Sequence, residues 1–134
     1  MKLRRLGLLG CAGVLSSCYL FDSGVEWRGG PYTLLWIDSP DNTSICRDEG
    51  DGHCGGRIEA SVFAAGWDGR YLVAKQHPGN DRRTTHYFII DAQHDTRLAD
   101  PATYITGPLT AGEFQRKSKD LKLPQFSKVL ESLE

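Results

Sequence analysis

No apolar run in this 134-residue chain is long enough to cross a bilayer as a mature helix. The one sustained run, Leu6 to Leu15, falls short of the roughly 20 residues such a span needs. Positive charge is not in surplus either. Lys and Arg number 16 against 17 Asp and Glu, so the chain has no general attraction for phosphate backbones and no nucleic acid is expected as a partner. The signatures of catalysis are missing: there is no G-x-S-x-G elbow and no glycine loop joining a strand to a helix. No two histidines stand four apart, and the acidic residues lack EF-hand spacing. His53, His77, His86 and His94 all fall in or beside predicted loops and read as solvated. No cofactor, metal or catalytic residue is therefore expected, and the chain reads as a binding protein, not an enzyme. Repeats and low-complexity segments are absent too, and the length suits one domain.

What is present begins at the amino terminus. Lys2, Arg4 and Arg5 precede the apolar run, and Leu15-Ser16-Ser17-Cys18 follows it. Cationic, apolar and small residues in that order mark an export signal. The last four resemble the bacterial lipobox, in which the cysteine is acylated and becomes the first residue of the mature chain. Residues 1–17 are thus expected to be a lipoprotein-type signal peptide, Cys18 the lipidated residue and 18–30 a tether. Leu8-Leu9-Gly10-Cys11 shares the local pattern but lies too close to Arg5 to leave an apolar region. Lipid anchoring contributes roughly 0.8 kcal/mol per buried CH₂. In lipoproteins of double-membraned bacteria an Asp after the cysteine retains the protein in the inner membrane. Tyr19 stands there, which points to the outer membrane, facing the periplasm. Cleavage removes three of the 16 cations and no acid, leaving 13 against 17 and a formal net charge of −4.

Cys46 and Cys54 then remain, and an even pair in an exported protein reads as a disulfide. The alternative is a metal site of Cys46, His53 and Cys54 with Asp48 or Asp51. Adjacent His53 and Cys54 would have difficulty pointing at one ion, and the spacing lacks the repetition of zinc sites. Asp38, Asp41, Asp48, Glu49 and Asp51 also crowd this region; a calcium site is conceivable, but a solvated acidic loop is the simpler reading.

The domain is expected over residues 31–134. Pro31 to Asp38 reads as a strand buried on both faces, and 39–56 as a polar loop. Arg57 to Ala65 and Arg70 to Gln76 alternate around Gly66-Trp67-Asp68-Gly69, the clearest hairpin. His86 to Asp91 reads as a buried strand and Ala102 to Thr106 as a short one, with Gly107-Pro108 breaking the chain. Thr110 and Glu113 form a capping box for a helix from about Ala111 to Asp120, with Phe114 and Leu121 on one face. Phe126, Val129, Leu130 and Leu133 recur at helical spacing and predict a second helix. The fold class is α+β: an antiparallel sheet of four or five strands followed by one or two carboxyl-terminal helices packed on one face.

The run Tyr87-Phe88-Ile89-Ile90-Asp91, then Gly107-Pro108-Leu109-Thr110, Glu113-Phe114 and Leu123-Pro124, resembles a family of small, uncharacterised bacterial proteins, many of them lipoproteins. The likeness covers the last third of the chain and Gly66 to Lys75. It implies a shared fold and carries no catalytic residues.

Arg70, Lys75, Arg82, Arg83 and Arg97 accompany Trp67, Tyr71 and Tyr87, and arginine with aromatics is the composition of interface hot spots. Trp67, Arg70, Tyr71, Arg82 and Arg83 are the expected partner-binding residues. The functional expectation is a membrane-anchored lipoprotein that binds a protein partner, with immunity against a secreted toxin as the concrete form. The alternative is an accessory envelope-assembly or small-ligand-binding lipoprotein without catalysis.

Overall fold

The computed structural model describes residues 22–134; Cys18 and the expected signal segment lie outside them. Among the described residues nine strands and one α-helix follow in order: β1 (Ser23–Gly29), β2 (Tyr32–Ile37), β3 (Thr43–Asp48), β4 (Cys54–Ile58), β5 (Val62–Trp67), β6 (Tyr71–Gln76), β7 (His86–Asp91), β8 (Ile105–Leu109), α1 (Ala111–Leu121) and β9 (Lys128–Val129). The fold is the expected α+β type, antiparallel throughout, but the strands divide between two sheets. The first runs β1-β2-β3-β4, and the second β8-β7-β6-β5-β9.

Alternation explains how the layers stack. Tyr32 and Leu34 of β2, Ile45 of β3 and Ile58 of β4 face the second sheet, meeting Val62, Ala65, Leu72, Ala74 and Ile90 in one buried cluster. The residues between them on the second sheet, Val73 and Ile89, turn the other way. They pack with Leu109, Phe114 and Leu123, so α1 covers the far face of that sheet. The helix starts where its capping box places it. Glu113 N donates to Thr110 Oγ1 at 3.2 Å, and Thr110 N to Glu113 Oε1 at 3.3 Å. Phe114 is its buried anchor, whereas Leu121 is exposed and Leu123 takes the second apolar position.

Four expectations are corrected. Residues 23–29, read as tether, form an edge strand and so belong to the folded domain. The supposed polar loop 39–56 contains β3 and most of β4: buried Thr43 and Ile45 alternate with Ser44, and Gly55 and Gly56 pair with Arg47 and Cys46. Arg57 to Ala65 is not one strand. It divides at Glu59–Ser61, where the chain passes from one sheet to the other. The second helix does not form. Ser127 N and Leu130 N donate to the carbonyls of Ala65 and Phe63, so this segment borders β5. Its helical spacing has a different use, since Leu130 and Leu133 cover Phe63 and Ala64.

The pairings also sort the loops into two ends. Ser23 pairs with Ile37, and Asp38 N donates to Asp22 O at 2.7 Å, so the chain enters beside the β2–β3 loop. Ser61 and Asn80 reach Asp41 there, which adds the β4–β5 link and the β6–β7 loop to this entry end. The opposite end gathers the Gly30–Pro31 turn, the β3–β4 loop, the β5–β6 turn and the long segment between β7 and β8.

Candidate functional site

The far end is built around one carboxylate. Asp95, in the segment after β7, has a side chain with 0% exposure. Such a group costs several kcal/mol to bury unless it is paired and hydrogen-bonded. Here it is both. Arg57 of β4 meets it with two nitrogens, Nε at 3.0 Å from either oxygen and an amino nitrogen 2.9 Å from Oδ1. Tyr32 donates its hydroxyl to Oδ2 at 2.7 Å. Arg47 Nε lies 3.8 Å away, and that buried nitrogen has no hydrogen-bond partner among the described residues.

Arg57 also binds Glu49 at 3.0 Å, and Glu49 lies 3.4 Å from His53. Burial alone would lower the guanidinium's proton affinity, but the bonds to Asp95 and Glu49 raise it above its ordinary value. Burial, then the bond to Asp95, pushes the Tyr32 phenol up. Two carboxylates and two guanidiniums thus balance where the sheets and the far-end loops meet. The geometry holds the first sheet and the segment after β7 together.

Cys46 and Cys54 are joined in a disulfide across β3 and β4, with Cα atoms 5.4 Å apart. Both sulfurs are therefore committed, which removes the metal alternative built on their thiolates. The bond closes the loop that carries Glu49. Inside it, Gly50 N donates to Asp48 Oδ1 at 2.9 Å. The five acids that looked crowded in sequence separate, with Asp38 and Asp41 at the entry end and Asp48, Glu49 and Asp51 at the far end. Among the described residues no group of three or more His, Cys, Asp and Glu could hold a metal ion.

The predicted partner residues do not form one patch. Trp67 folds back onto the other sheet, edge-on to Tyr32 with ring centroids 5.5 Å apart. Gly30 makes room for it: a Cβ there would come within 2.6 Å of the indole, and its φ of +55° suits glycine. Arg70 projects from the next turn, bound to Asp91 at 3.3 Å and lying over Tyr71 at 4.8 Å. Its bond to Asp91 raises its proton affinity. Arg82 and Arg83 occur at the entry end, where Arg82 donates to Ser132 O and Arg83 pairs with Asp81. The length of β6 separates the two groups. Lys75 lies over Tyr87 and Phe126, so these aromatics serve the protein's own packing.

A model of one protein family matches residues 29–132, described as Protein of unknown function (DUF3997). The chain belongs to this family. The DUF3997 match covers β2 through the carboxyl-terminal segment, and with it both ends of the sandwich. No curated protein and no solved structure matches the chain.

Sequence reasoning missed Asp95 and Leu98. Asp95 sits in a polar stretch with nothing to distinguish it from its neighbours. Leu98 is 96% exposed, three residues beyond that buried carboxylate, with exposed Arg97 beside it. A lone leucine among polar residues was the available signal.

Proposed function

We propose that this chain is a lipoprotein of the bacterial envelope, anchored through Cys18 and facing the periplasm, that binds a protein partner with the end of its sandwich remote from the anchor. The specific role is immunity, neutralising a toxin secreted by a neighbouring cell. The observation that carries this reading is the polarity of the two ends. The described chain starts at one, while the other presents Arg70, Arg97 and Leu98 beside the disulfide-closed loop.

Three features support it. A disulfide persists in an oxidising compartment, as export requires. The Asp95 junction fixes the loop bearing Leu98, and a preorganised loop loses less entropy on binding. The charged groups of that junction are committed to one another, which suits a scaffold better than a reaction centre.

The test is capture by the immobilised, oxidised chain from residue 19 onward, presented with secreted and envelope fractions. Stoichiometric retention of a secreted toxin is expected, and loss of the gene should sensitise cells to their siblings without slowing growth in isolation. Retention of an envelope component, with an envelope defect in isolated cells, would replace immunity by the accessory role.

A further inference from the structure

The outer face of the first sheet has no layer of described residues packed over it. Ser23 and Val25 of β1 and Leu35 and Ile37 of β2 point outward there and line an open groove of about 500 Å³. Val25 is 51% exposed and Ile37 41%, although both are large apolar groups and stand diagonally across the β1–β2 pair. The groove lies at the entry end, since Ser23 and Ile37 pair at the first residue of β1 and the last of β2. We propose that this corner of the domain rests on the bilayer surface, so that the far end points away from it. The inference depends on the proposed anchoring through Cys18.

The reach of the chain selects the occupant. Four residues separate Cys18 from Ser23, and the five Cα–Cα steps span at most roughly 17 Å when fully extended. An acylated Cys18 therefore keeps this corner within about 17 Å of the bilayer interface. Tyr19, Leu20 and Phe21, between the two, are apolar in sequence as well. An apolar patch at an interface adds its own burial to that of the lipid chains. The charged groups around it set the kind of surface. Asp22, Glu26 and Asp38 are sequence neighbours of the groove residues, against one cation of β1, Arg28. Headgroups of no net charge fit that border, and anionic ones are repelled.

The mature lipidated chain leaves no free thiol, so a single cysteine can be labelled with a polarity-sensitive dye. Ile37→Cys and Val25→Cys report on the patch. Lys117→Cys, exposed on α1 behind the other sheet, serves as reference. In phosphatidylethanolamine–phosphatidylcholine vesicles carrying headgroup nitroxides, labels at 25 and 37 should shift to the blue and lose intensity, while the label at 117 does neither. Protein that floats with the vesicles while positions 25, 37 and 117 behave alike overturns the apposition and leaves the anchor standing. Protein that stays in solution overturns both.

Discussion

The hydroxyl of Tyr32 donates to the buried carboxylate of Asp95 at 2.7 Å, across 63 positions of sequence. Together with Arg57 this contact ties the first sheet to the segment after β7. Removing one partner of a buried ion pair leaves the other charge uncompensated and costs about 3–5 kcal/mol. Asp95→Ala should lose that much in urea unfolding at neutral pH, because Arg57 and Arg47 then face Glu49 alone. Tyr32→Phe, which deletes one hydrogen bond to a charged acceptor, should lose about 1.5–3 kcal/mol. Equal stability of Asp95→Ala and the parent would show that solvent reaches the junction.

The same contact gives an alkaline dependence. The folded-state pKa of Tyr32 is raised, first by burial and then by its bond to Asp95. In the unfolded chain the phenol ionises near pH 10 while the folded one keeps its proton. Its contribution is thus complete below about pH 10 and is lost as pH rises towards the folded-state value. Above about pH 10, the parent's stability should fall more steeply than that of Tyr32→Phe. Parallel slopes in denaturant titrations would contradict the assignment.

Cys46 and Cys54 close a loop of sequence separation 8, which in the chain-entropy model stabilises by about 2–3 kcal/mol. Cys46→Ser should lower the melting temperature and expose one titratable thiol at Cys54. The effect should extend beyond the loop, because Glu49 within it holds Arg57 at 3.0 Å. Hydrogen exchange should therefore quicken in the segment around Asp95 as well as in residues 48–54. Faster exchange confined to the loop would mean that Arg57 and Asp95 hold without Glu49.

Much of this was legible locally and little of it globally. The β5–β6 hairpin, β7 and the capping box of α1 announce themselves through alternation, a turn and two residues three apart. The carboxyl-terminal segment misled because burying one side of a chain on β5 can place apolar residues at helical spacing. β4 was hidden by Gly55 and Gly56, which have little intrinsic strand preference and are held by pairing with β3. The disulfide followed from cysteine arithmetic alone, but the Asp95 junction joins residues 32, 47, 57 and 95, and no window of sequence contains them. Arginine and aromatics likewise named Trp67 and Arg82 together, though β6 keeps them apart.

That separation yields the sharpest test of where a partner binds. Trp67 is packed between Gly30 and Tyr32, so Trp67→Ala should destabilise the fold by about 3–5 kcal/mol. Any loss of binding it causes would therefore be indirect. Leu98 and Arg70 are exposed at the far end, and truncating either leaves the core untouched. Leu98→Asp and Arg70→Ala should retain the parent's melting temperature. If they are hot spots, each should weaken the captured partner's affinity tenfold or more, equivalent to at least about 1.4 kcal/mol. Arg82→Ala and Arg83→Ala, at the entry end, should leave affinity within about twofold. The four variants can be measured by calorimetry against the same partner. The opposite ranking, with Arg82 and Arg83 sensitive and Leu98 and Arg70 silent, would place the interface beside the proposed anchor and reverse the orientation argued from the two ends.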